Sequence, residues 1–310
     1  MRLVAPLLLL FLCAVAPARA QIDPVHDALD AYAHYQNDVS VLLDAEIDSA
    51  EALDAALSRM ARHDPSDVTR GWIAYNALAA AQSPAFVNGV RSRIAAAGRA
   101  AVIRQLVRDI AYARRRPPGA AEATQIILAA IESDTARMGL AAVRYDELAR
   151  ATDMSGWPAV EDRNARHARL SGLRVGELIP ETMRARLHIG AGAASPLTDP
   201  TAFGGRSFWD ALAGRDAPLQ PPRPTRERYL GGVDRVRTLA GLIVVGAVQS
   251  ESARVEELLV DRNTHHCLSL EQLQLRQCAA SAHSADEDMF CLSRHGFSGP
   301  AACFAALLAF

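Results

Sequence analysis

A chain of 310 residues with a formal net charge of −2 and only 5% aromatic residues can form one large domain or two smaller ones, with a core built from Ala, Leu, Val and Ile. It contains no lysine, so Schiff-base chemistry, a Walker-type phosphate lysine and a catalytic lysine are excluded. The near-zero net charge leaves no electrostatic footprint for nucleic acid, and no nucleic-acid partner is expected.

The N-terminus carries an export signature. Arg2 opens it, Leu3 to Val15 is an apolar run, and Ala18-Arg19-Ala20 is a small-x-small cleavage site. Residues 1–20 are therefore expected to be removed, so that the mature chain starts at Gln21. The apolar run is shorter than the roughly 20 residues that span a bilayer. Cys13 follows Phe11 and Leu12 instead of small residues, which favours a removed peptide over a lipid anchor. Leu239 to Val248 and Ala301 to Phe310 are also too short to span and read as buried core helices, so no transmembrane segment is expected after cleavage. Outer-membrane barrels often end in Phe, as here at Phe310, but the alternating strands of a barrel are absent.

Residues 21–152 read as an antiparallel helical bundle. Asp23-Pro24 is an N-cap followed by proline at the first helical position, and Val25, Leu29, Tyr32, Val39 and Leu43 recur near the helical period. Ser49 caps a second helix with Leu53, Leu57 and Met60 on one face. Pro65-Ser66 opens a third, striped by Val68, Trp72, Tyr75 and Ala79. Ser83-Pro84 starts a long fourth helix, expected to run through Phe86, Val90, Ile94, Val102, Leu106 and Ile110 until Pro117-Pro118-Gly119 stops it. Arg114-Arg115-Arg116 at its end complements the helix dipole and reads as a cap and solvated face, not an anion site. A fifth helix from about Ala120 to Ala151 carries Ile127, Ile131, Leu140 and Leu148.

Residues 153–225 change character. Gly190, Gly192, Pro196, Pro200, Gly204 and Gly205 crowd together, and Ala217 to Pro224 is too rich in proline for helix or central strand. Trp157, Phe203, Phe208 and Trp209 need something to pack on, so the segment reads as ordered loops with short helices draped over the bundle. His188 to Gly192 lacks the spacing and the preceding strand of a phosphate loop.

Residues 226–310 return to helix. Tyr229, Val233, Val236, Ala240, Ile243 and Ala247 make a helical stripe from about Arg226, and Ser250 or Ser252 is placed to cap a continuation through Leu258 and Leu259. Ser269 with Gln272, and Ser284 with Glu287, have capping-box spacing. They predict helices over about Leu270 to Ala280 and Ala285 to Arg294. Gly296 is expected to end the second, with Ser298 and Pro300 opening a third.

With Cys13 removed, Cys267, Cys278, Cys291 and Cys303 remain, an even count that in an exported chain reads as disulfides. His265, His266, His283 and His295 lie among them. Zinc motifs, however, pair ligands about two to four residues apart, and these cysteines stand more than ten apart. Neither metal nor cofactor is expected. Cys267 and Cys278 at opposite ends of one helix are beyond disulfide reach. The nested pattern, Cys267 with Cys303 and Cys278 with Cys291, is attractive. Cys267–Cys278 with Cys291–Cys303 survives only if the helix starts late. Each bridge is worth on the order of 2–4 kcal/mol. This cysteine-rich ending, over about the last forty residues, resembles exported proteins of unknown function from alphaproteobacteria. The resemblance implies a location and a disulfide module, and no activity.

The densest polar patch holds His283, Glu287, Asp288 and His295. Each already has a structural role there: Glu287 in a capping box, Asp288 at a helix N-terminus and His295 at a C-terminus. There is no GxSxG, HExxH, SxxK or CxxC, and His26 and His34 are two helical turns apart. The expected protein is an all-α periplasmic or secreted one, a non-enzymatic binder or scaffold for an envelope protein. One alternative is an enzyme or metal site where His283 and His295 converge with acidic partners. The other is a carrier of a small apolar ligand.

Overall fold

The computed structural model describes residues 23–154, 156–157, 162–187, 202–203, 208–215 and 231–306, and these form an all-α structure without a strand. The export signature, the Gly/Pro-rich stretches at 188–201 and 216–230, the helix start at Arg226 and the terminal Phe310 lie outside the described residues.

Local signals set most of the early helix ends. Helix α1 (Pro24–Asp44) starts where the Asp23 carboxylate accepts the amides of Val25 and His26. Helix α2 (Ala50–Ala61) starts where Ser49 Oγ accepts the Ala52 amide at 3.2 Å. The cap of α3 (Pro65–Ala80) is Asp64, which accepts the amides of Ser66 and Asp67. Ser83 caps α4 (Pro84–Ala97) through the Phe86 amide.

The expected long fourth helix is three pieces. Gly98 has φ +83°, a conformation that favours glycine, and it separates α4 from α5 (Arg99–Arg108). Asp109 then takes the Ala111 amide at 2.9 Å and turns the chain into the short α6 (Tyr112–Arg115). The apolar period ran straight through both breaks because each piece buries its own stripe. Arg114 to Arg116 therefore do not end a long helix.

Gly119, at φ +79°, leads into α7 (Ala120–Ala151), and a Cβ there would collide with the backbone of Ala85 and Phe86. On α7, Ile127, Ile131, Met138, Ala141 and Tyr145 are buried. Leu140 is 65% exposed, because nine residues past Ile131 points to the opposite face of a helix.

In the middle segment, Asp162 caps α8 (Arg163–Gly172), and α9 (Glu181–Leu187) and α10 (Phe208–Leu212) follow. Phe203, Phe208 and Trp209 are buried against Tyr75, with ring centroids 5.2, 6.3 and 5.1 Å away.

Capping in the C-terminal third departs from expectation. Helix α11 (Gly231–Val244) is followed by α12 (Ser252–Leu258), where Ser250 Oγ donates to the Ala247 carbonyl and caps nothing. Helix α13 (Arg262–Ser281) begins seven residues before Ser269, because Asp261 accepts the Thr264 amide at 2.9 Å. Gln272 instead donates to the carbonyls of Ala61 and His63. Before α14 (Ala285–Cys291), Glu287 accepts the His283 amide, and the Ser284 hydroxyl makes no capping bond. Gly296 does not end a helix. The chain winds through a π-helical segment, Leu292–Ser298, into α15 (Gly299–Ala305), with Pro300 in its first turn.

Because α13 contains both Cys267 and Cys278, these two cannot pair: eleven residues of helix span about 16 Å. The disulfides are nested, Cys267–Cys303 and Cys278–Cys291, each with Cα atoms 5.6 Å apart.

Helices α1 and α3 pack antiparallel, with Tyr35 beside His63 and Tyr32 beside Tyr75. Gly71 makes room for this, since a Cβ there would strike the α1 backbone at Ala28 and Tyr32. Helix α7 runs alongside α1 in the same direction: Tyr32 donates to Asp134, and ten residues further on Tyr145 donates to the Leu42 carbonyl. The C-terminal helices belong to the same core. Phe304 of α15 packs on Trp72, Tyr32 and Tyr35 at 5.3, 5.9 and 6.2 Å, and Phe297 packs on Tyr145 at 5.4 Å. Burying a side chain such as Phe304 stabilises by about 2–3 kcal/mol.

Candidate functional site

An open cleft of about 860 Å³ lies where α2, the end of α7, α8 and the α13–α14 turn meet. Its apolar part is made by Leu53 and Ala149 with Met154 and the half-buried Trp157. Its charged part comes from α8, which Asp162 caps so that Arg166 and Arg169, three residues apart, face the same side.

Both arginines are engaged. Arg166 is buried and bonds Asp288 through two nitrogens, at 2.9 and 2.7 Å, while also donating to the Ala279 carbonyl at 2.8 Å. This bidentate fork bolts α8 to the C-terminal section. Arg169 donates to Asp54 at 2.6 Å and to Ser58 at 3.0 Å, tying α8 to α2. Burial raises the Asp288 carboxyl above its usual range, and Arg166 opposes that rise. Glu51, His283 and Asp286 reach solvent at the rim. The cleft thus offers an apolar floor, a half-buried indole and a rim of solvated polar groups.

The four residues singled out in the sequence do not converge. Asp288 is in the cleft wall, paired with Arg166. His283 lines the rim, and Glu287 is tied to its backbone amide at 2.6 Å. His295 lies in the π-helical segment and pairs with Glu271 of α13 at 2.9 Å, away from the cleft lining. Among the described residues no group of three or more His, Cys, Asp and Glu is placed to hold a metal ion. Arg166, Arg169 and Asp54 were missed, and Trp157 was read only as an aromatic in need of packing. Arg166 and Asp288 are 122 positions apart, and no local pattern links them.

A second constellation is sealed in the core. Tyr32 donates to Asp134 at 2.6 Å and accepts from Gln36 at 2.8 Å. The buried Arg137 bonds Gln36, Ser40 and Asp210, the last from α10. Burial pushes the Asp134 carboxyl up to about 7, against the opposing pull of the Tyr32 hydrogen bond and the Arg137 charge. Tyr32, Gln36, Ser40, Asp134, Arg137, Trp209 and Asp210 are all less than a tenth exposed. The cluster is a buried acid–phenol–guanidinium chain, and it fixes α10 onto α1 and α7. A third cluster serves the same end: the fully buried Asp38 is bonded by Arg59, Arg62 and His63. Burial works to raise its carboxyl, but these partners outweigh it and hold Asp38 below the usual range.

No helix among the described residues is long and apolar enough to cross a membrane. No protein-family model, curated protein or solved structure matches this chain.

Proposed function

We propose that this protein is an exported cell-envelope binding protein, without catalysis, whose C-terminal cleft receives a small ligand with an apolar body. The observation that carries this reading is the makeup of the cleft. Its arginines are consumed by Asp54 and Asp288, and its apolar lining is made by Leu53, Ala149, Met154 and the Trp157 indole beneath a polar rim. A cleft of this size is in the range of small-molecule sites, which are mostly apolar with a few polar groups setting orientation. The carrier alternative and the binder reading therefore meet at one place, an open cleft. Export is supported by the Ala18-Arg19-Ala20 site, by the two disulfides and by the resemblance of the C-terminal segment to exported proteins.

The test is a titration with the neutral fluorescent probe N-phenyl-1-naphthylamine, read by energy transfer from tryptophan. Trp72 and Trp209 are buried in the core, whereas Trp157 lines the cleft. Saturable binding is expected, with the transfer component lost in Trp157→Phe. Ala55→Arg, at an exposed position of the lining, should block it. Absence of saturable binding, or equal affinity in Ala55→Arg, sinks the reading. Intact mass on the same periplasmic preparation addresses location: a chain starting at Met1 with free thiols would refute export.

A further inference from the structure

The break of the fourth helix at Gly98 and Asp109 folds the arginine-rich part of the chain around an open groove of about 880 Å³. It is lined by Arg93 and Ala97 of α4, Ala101 and Gln105 of α5, and Arg115 and Arg116 after the second break. Between residues 84 and 119 there are eight arginines and a single acid, Asp109. That is a patch of +7 in a chain of net −2.

Three of the eight have internal partners. Arg99 donates to the carbonyls of Val245 and Gly246, Arg114 pairs with Asp234 at 3.3 Å, and Arg115 pairs with Asp109. Asp109 is thereby neutralised. Arg91, Arg93, Arg104, Arg108 and Arg116 make no side-chain hydrogen bond or ion pair among the described residues. Arg104 and Arg108 stand on α5 within one turn of the groove-lining Ala101 and Gln105. Arg93 is the most telling. Its Nε is shut off from solvent without an acceptor, as are the Nε atoms of several other arginines, including Arg184, Arg215 and Arg276. Those others still bond through their terminal nitrogens. Arg93 bonds through none, so its guanidinium is held in the groove wall with its donors unused.

We propose that this groove is a binding site for a phosphate-type anion carrying two or more charges. Guanidinium forks match phosphate oxygens two at a time, and Arg93 and Arg116 supply such forks with no internal carboxylate competing for them. Its source is either phosphate free in solution or the phosphomonoester of a lipid headgroup, and both present the same terminal oxygens. This site is separate from the C-terminal cleft, so either can fail without the other.

Two arms at low ionic strength test it on the full mature protein. One is calorimetric titration with inorganic pyrophosphate. The other is co-sedimentation with phosphatidylcholine vesicles containing phosphatidic acid, whose phosphomonoester reaches two charges. Binding in the first arm identifies a soluble phosphate ligand, and binding in the second alone identifies a headgroup. In either case Arg93→Gln with Arg116→Gln should weaken it by on the order of tenfold or more, as should the exposed pair Arg104→Gln with Arg108→Gln to a smaller extent. Added salt should weaken it too. Arg254→Gln, remote from the groove and paired with Glu257, should leave it unchanged. Failure of both probes to bind overturns the proposal, as does wild-type affinity in the Arg93/Arg116 variant or an equal loss in Arg254→Gln.

Discussion

The C-terminal cleft and the α4–α6 groove are nearly equal in size, about 860 and about 880 Å³, and both are lined by arginine. In the cleft, Arg166 and Arg169 are bonded to Asp288 and Asp54, and the guanidinium charges serve to lock α8 between α2 and the C-terminal helices. In the groove, Arg93 and Arg116 have no such carboxylate, and only Arg115 is answered by Asp109. Arginine content therefore does not distinguish an anion site from a structural clamp. The distinction lies in whether a carboxylate has been folded against each guanidinium. The pattern of the cleft recurs elsewhere: Asp38 gathers Arg59 and Arg62, Asp210 meets Arg137, and Asp234 meets Arg237 and Arg114.

The sharpest way to break this comparison is to remove an arginine from each side. Arg166→Ala would strand Asp288, a buried carboxylate, and should cost about 3–5 kcal/mol of stability in urea unfolding. A loss below about 1 kcal/mol would mean the fork is not a clamp.

A second variant asks whether a buried acid obeys the same rule when its arginine is shared. Asp134 has its folded pKa raised from 3.8 to about 7. Its contribution is then fully present below the unfolded pKa and is lost as pH climbs towards 7, because only the folded state keeps the proton. Asp134→Asn abolishes that dependence. Relative to wild type, the variant should gain up to about 4 kcal/mol between pH 4 and pH 8. Parallel stability–pH curves for the two proteins would show that Asp134 is ionised in the core throughout.

The smallest effect belongs to the groove. Arg93→Gln with Arg116→Gln should shift unfolding stability by no more than about 0.5 kcal/mol, while changing anion binding. A large destabilisation would mean that these arginines have structural partners after all, and the contrast with the cleft would collapse.

Much of the helical layout was legible along the chain because its causes are local. Asp23-Pro24, Ser49 and Ser83-Pro84 cap helices with their own side chains, and Val25, Leu29, Trp72 and Ile131 repeat at the period that buries one face. The disulfide pattern was partly legible, since helix rise forbids Cys267–Cys278 once the helix is placed. Where α13 begins was misread, because Ser269 with Gln272 mimics a capping box while Asp261 does the capping. The break at Gly98 was missed for a related reason: one glycine with φ +83° interrupts the backbone without disturbing the apolar spacing.

The candidate sites were mostly not legible. His283 and Asp288 were visible in the sequence as neighbours, but the partner that defines Asp288 is Arg166, and the indole that gives the cleft its apolar character is Trp157. Arg114 to Arg116 stood out as a charge run, yet the meeting of Arg115 and Arg116 with Arg93 depends on two bends between them. By itself the amino-acid sequence determined most of the helices, their buried faces and the supply of thiols, because each follows from caps, periodicity and helix rise within a few residues. Tertiary structure alone decided which arginines find a carboxylate and which are left facing an open groove, because an ion pair depends on distances in space between residues far apart in the chain.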